Sequence, residues 1–179
     1  MNTNEMNSDA IEVIKAIIKA LGGEFCGKVR LYKAFYFAHL YYWQDFHRML
    51  TDYPIVKMPQ GPGIDAADTL IAEMIRQEEL QVSYQNNGPY KENVYKLIKP
   101  FQTDPNDEKY QAVEKAVKFI QDKSAHELSE LTHANSRSWI NADDGEELNI
   151  YLDILDDEEY SRLKSNLDEA ERLVMEAFA

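Results

Sequence analysis

KVRLYKAFYFAHLYYWQ, residues Lys28 to Gln44, holds no glycine or proline and is long enough for roughly four to five helical turns at about 3.6 residues each. Leu31, Phe35, Ala38 and Tyr42 recur at i, i+4, i+7 and i+11, and Tyr32, Tyr36, His39 and Trp43 repeat that spacing one position along, with Phe37 and Tyr41 widening the girdle. A helix that is apolar nearly all round is a buried one. The stretch therefore predicts a mainly α protein, a single compact helical domain built around a buried central helix. Its tyrosine hydroxyls, indole N–H and imidazole need partners once buried, so this helix either packs a polar-studded core or lines a groove.

The 179 residues fit one domain, able to bury roughly 70% of the surface of its unfolded form. The lone Cys26 excludes an internal disulfide and reads as a small buried hydrophobe in a reducing compartment. The leader over residues 1–8 is polar and acidic where a secretory signal is basic and then apolar, and no run has the length of a membrane span. The expected location is the cytoplasm, with no membrane partner. The formal charge is −13, of which −10 lies from Asp143 onward. Such a surface repels phosphate backbones, which argues against a nucleic-acid partner, and attracts a basic protein. The charge run taken alone reads as a solvated face.

Around the central stretch the chain reads as follows. Asp9 and Glu12 have capping-box spacing, Ile11, Ile14, Ile17, Ile18 and Leu21 form a stripe, and Gly22-Gly23 stops the first helix. A short turn leads into the central helix. Ile55 and Val56 lie between prolines in a short extended piece, and Gln60-Gly61-Pro62-Gly63 reads as a rigid turning loop. Asp65 to Glu79 predicts a helix with Leu70, Ile71, Met74 and Ile75 inward, and Leu80 to Gln85 with Val94 to Lys99 predicts a small β-hairpin. A helix from Asp107 to Asp122 follows, then one opened by a Ser124–Glu127 capping box. Leu148 to Leu155 is ambiguous between strand and helical turn. An acidic C-terminal helix over 156–179 places Tyr160, Leu163, Leu167, Ala170, Val174 and Phe178 on one face.

Local strings that imitate catalytic motifs fail on chemistry. Gly22 to Lys28 matches the first seven positions of a phosphate-binding loop, but Val29 has no hydroxyl for Mg²⁺ and a helix precedes it where the motif needs a strand. The pairs His39/His47 and His126/His133 would lie roughly 10 to 12 Å apart along one helix, too far to share a metal. A cross-chain pair, His39 with His133, remains open. Ser161 to Lys164 matches S-x-x-K without the companion elements of that enzyme class. Nothing local marks Cys26 as activated. The residues alone supply no catalytic constellation.

Three separated strings agree with one another. Lys28 to Tyr42 resembles the K-L-x-K-L-x-Y-F-A-H-x-x-Y signature of the SocA-like antitoxin family, also called the Panacea domain. Gln60-Gly61-Pro62 is similar to its Y-G-P loop, and Leu128 to His133 followed by Trp139 resembles its L-S-x-x-T-H-x-x-x-W segment. Gln60 stands where the family has an aromatic, Gly63 where it has a branched aliphatic, and Arg30 and Ala34 interrupt the first signature. The resemblance implies a phage- or prophage-associated cytoplasmic binding protein, not an enzyme, that neutralises a toxin encoded beside it by direct protein contact. It implies no cofactor and no metal, and it supplies no catalytic residue. On this basis Tyr36, His39, Tyr42, Trp43, Gly61, Pro62, His133 and Trp139 form the expected partner-binding set, with His39, Gly61-Pro62, His133 and Trp139 meeting around the central helix. A homodimer is left open. The alternative is a DNA-binding regulator of winged-helix type that uses the hairpin lysines Lys91, Lys96 and Lys99, and a hydrolase using His39 and His133 is a third class.

Overall fold

In the computed structural model, which describes residues 3–177, the chain is mainly helical, with seven α-helices and five short strands among the described residues. Helix α1 spans Thr3–Ala20 and buries Ala10, Val13, Ile14, Ile17 and Ile18. It starts ahead of the expected Asp9 cap, because no glycine or proline in the leader breaks it, so most of that leader is helical. The short turn expected next contains a strand, β1 (Glu24–Cys26), and Gly27 joins it to α2, Lys28–Phe46. The phosphate-loop imitation is thus a turn, a strand and a helix start. Helix α2 ends at His47, which takes a left-handed conformation and donates its backbone N–H to the Trp43 carbonyl at 2.8 Å.

Strands β2 (Ile55–Met58) and β3 (Gly61–Ile64) form an antiparallel ribbon around the two-residue turn Pro59-Gln60. The expected Gly61-Pro62-Gly63 loop is therefore a strand. Pro62 is accommodated because it faces Lys57, whose own N–H turns away to the Glu146 carbonyl at 2.8 Å, so the ladder needs no N–H from this position of β3. Gly63 lies against Met58, whose sulfur sits 2.3 Å from where a Cβ would be, so any larger residue there would have to displace the methionine side chain.

Helix α3 (Ala67–Arg76) buries Ala67, Leu70 and Met74, while Ile75, expected inside, is 45% exposed. Strands β4 (Leu80–Asn87) and β5 (Tyr90–Leu97) make a longer hairpin than the alternation marks, and β1 adds to it in the order β1-β5-β4. Helix α4 (Glu108–Ile120) is capped by Asp107, and α5 (Ala125–Asn135) by the complete Ser124–Glu127 box. The short α6 (Arg137–Asn141) leads to a 3₁₀ turn over Ile150–Asp153, which resolves the ambiguous segment, and α7 spans Asp157–Ala177. Phe178 and the side chains of Ala170 and Val174, expected on the apolar face of α7, lie outside the described set.

The core gathers the stripes of α1, α2 and α4, with Leu31, Ala34, Phe35 and Ala38 of α2 at most 1% exposed. Helix α2 also contacts α5, β1 and β3. These contacts bring the two β-ribbons and the α5–α6 corner onto its flanks. No described helix is long and apolar enough to cross a membrane.

Candidate functional site

Lys33 is a lysine in an otherwise apolar part of α2, and the helix carries it inward to 1% exposure. Its Nζ donates to the Pro62 carbonyl of β3 at 3.0 Å. Burial alone depresses its ammonium to about 7. Gly61 explains how the amine reaches this place: its φ is +97°, and a Cβ there would stand 2.4 Å from Lys33 Nζ and 2.3 Å from Thr132 Oγ1. Only a glycine allows the β3 backbone, the α2 amine and the α5 hydroxyl to converge so closely. The Thr132 hydroxyl is itself held against the Leu128 and Ser129 carbonyls, each at 3.0 Å.

Next to this cluster, Trp139 of α6 donates its indole N–H to the Met58 carbonyl of β2 at 2.9 Å. The His133 ring stacks on it at 4.3 Å between centroids, and Lys57 Nζ lies 4.5 Å from the Trp139 ring centre. Both rings are half-buried, and His133 Nε2 is buried without a protein partner. The ribbon, the Thr132-His133 helix end and Trp139 are therefore assembled together, as the three sequence strings imply. They meet at Lys33.

His39 is tied elsewhere. It is fully buried; Nδ1 donates to the Phe35 carbonyl at 2.8 Å, and Nε2 accepts from Thr51 at 3.0 Å, since a carbonyl can only accept. Burial lowers it to about 4, so the ring is neutral. No hydrogen bond or ring contact joins it to His133 among the described residues. Its hydrogen bonds run to Phe35 and to Thr51, after the end of α2, and among the described residues none runs to the Gly61-Pro62 or His133 segments expected to meet it.

Tyr36 is also internal. Its hydroxyl donates to Asp153 Oδ2 at 2.7 Å, and burial followed by the Asp153 charge holds the phenol well above its usual range. Asp153 further accepts from Ser138 N at 2.8 Å, Ser138 Oγ at 2.6 Å and Ser136 Oγ at 3.0 Å, which ties the 3₁₀ turn and α6 to α2. Tyr42 is 3% exposed and packs on Phe46. Trp43 is half-buried and meets Tyr151 edge-on at 5.5 Å. Of the expected set, Trp43, His133 and Trp139 thus keep aromatic surface on the outside, whereas Tyr36, His39 and Tyr42 have theirs inside.

Sequence reasoning did not single out Lys33, Thr51 or Asp153. Lys33 had a signal, a lone charge within a stretch that is apolar all round. Thr51 and Asp153 had none, because their partners are brought to them by tertiary packing. Cys26 is the reverse of an activated thiol: burial, then Glu92 and Glu24, push it up. Helix α7 carries Leu167, Leu173 and Met175 at 56%, 54% and 73% exposure. It is fastened at its base by Arg137, which pairs with Asp157 and lies over Tyr160.

The family model for the antitoxin SocA-like, Panacea domain matches residues 31–140, from α2 into α6. No curated protein and no solved structure matches the chain.

Proposed function

Because this chain belongs to the SocA-like antitoxin family with its Panacea domain, we propose that it neutralises a toxin, encoded by an adjacent gene, by binding that protein directly. The family match is the observation that carries the reading. The protein acts in the cytoplasm as a single domain organised around α2, without catalysis or cofactor.

Two surfaces support direct contact. Trp43, His133 and Trp139 offer half-exposed aromatic edges, the residue type that dominates interface energy at roughly 2 kcal/mol or more per anchor. Helix α7, beyond the matched segment, presents Leu167, Leu173 and Met175 beside an acidic face. A basic toxin surface with an apolar groove complements it. Co-expression with the neighbouring gene tests the proposal. Growth should be rescued by the wild type and not by Leu167→Asp combined with Leu173→Asp, which leaves the core untouched. A neighbour that is harmless alone, or one whose toxicity the wild type leaves unchanged, overturns it.

A further inference from the structure

A cleft of about 390 Å³ opens in front of Lys33, within the size range of small-ligand sites. Tyr32, Met58 and Pro62 give it apolar walls, and Lys28 and Asp68 stand among its lining residues. Lys33 is its buried polar group. An ammonium carries three N–H donors, and among the described residues the single acceptor that Lys33 has is the Pro62 carbonyl. Among the described residues no carboxylate offsets its charge, and burial is the cause that lowers it. Asp68 does not fill that role, because its carboxylate is 84% exposed and paired to Lys28 at 2.8 Å. Helix α3 begins among the lining residues at Ala67 with no side-chain cap, so the field of its first turn adds to the same sign.

An amine held at 1% exposure without a counter-charge is unfavourable in a closed core. It becomes favourable when a negative group enters and takes the remaining donors. We infer that this cleft is a binding site for a compact oxyanion, a carboxylate or phosphate group of a small molecule with an apolar body, held on the Lys33 ammonium. Gly61 shapes the rear of the site by letting the amine lie against β3. Lys28 assists from the lining, and the Tyr32 and Met58 walls receive the apolar body. The site is separate from toxin contact through α7, and it stands if that reading fails.

The test follows the lysine side chains of the full chain by ¹³C NMR of Cε at constant ionic strength, with chloride as the balancing salt. Inorganic phosphate is titrated in one arm and propionate in the other. The expected result is that the Lys33 signal moves saturably in at least one arm while the surface lysines drift together, and that Lys33→Met weakens the binding at least tenfold as read by calorimetry. Saturation with phosphate alone names a phosphate ligand, and with propionate alone a carboxylate. Should Lys33→Met fail to fold, the wild-type signal is identified by its midpoint near 7 in place of the ordinary 10.5. A Lys33 signal that stays still, or drifts linearly with the others in both arms, overturns the inference.

Discussion

Replacing Lys33 by methionine should raise the stability of the protein near neutral pH and remove a pH dependence from its unfolding. Burial lowers the ammonium from 10.5 to about 7. Between these values the unfolded chain holds the proton and the native chain does not, so the lysine makes stability rise with pH by about 1.4 kcal/mol per unit. Below that window both states hold the proton and the native state bears the whole burial penalty. The penalty is on the order of 4 kcal/mol near pH 7 and on the order of 1 kcal/mol near pH 9.5. Methionine replaces the aliphatic stem as far as Cε but lacks Nζ and so forfeits the bond to Pro62, which contributes about 1 kcal/mol. The variant should therefore be more stable by about 3 kcal/mol near pH 7 and nearly equal to the wild type near pH 9.5. Urea unfolding at steps across that interval, in buffers free of phosphate and carboxylate, measures the gap, and subtraction cancels other groups such as Cys26. A gap that stays constant within about 1 kcal/mol across the interval refutes the account of a buried, uncompensated amine.

Three further outcomes follow from the same geometry. His39 is lowered from 6.5 to about 4, so below its ordinary range the unfolded chain takes a proton that the native ring refuses. Acid titration should remove on the order of 3 kcal/mol as pH falls through that window, and His39→Gln should flatten this part of the curve. Gly61→Ala places a Cβ against Lys33 and Thr132 at a left-handed φ and should cost at least about 2 kcal/mol in urea unfolding, where a neutral result contradicts the packing described. Asp153→Ala leaves the hydroxyls of Tyr36, Ser136 and Ser138 without their shared acceptor. It should cost about 3 kcal/mol, and hydrogen exchange should rise first in α6 and the 3₁₀ turn.

The helices were legible because their signals are local. The all-round apolar stretch gave α2 to within two residues of its end, and Ser124 with Glu127 forms the capping box its spacing implies. The strands were less legible. β1 owes its existence to β5, some seventy residues away along the chain, and nothing within Glu24 to Cys26 announces that pairing. Gly61-Pro62-Gly63 has the composition of a turn but pairs with β2, because the packing against Lys33, Thr132 and Met58 rewards a bare backbone. The same cause hid the site. The family strings placed Gly61, Pro62, His133 and Trp139 together, while Lys33, which lies against Pro62 and Thr132, sat unmarked inside the first string. His39, six residues on in the same string, points to Thr51.

The central claim is that this chain binds its toxin directly, and the most direct measurement is the mass in solution of the co-expressed pair. The chain and the product of the neighbouring gene should leave a sizing column together, with light scattering giving the sum of both masses. Leu167→Asp with Leu173→Asp should separate them while the chain itself stays folded. Two separate peaks from the wild-type pair, with growth still inhibited, would contradict the account.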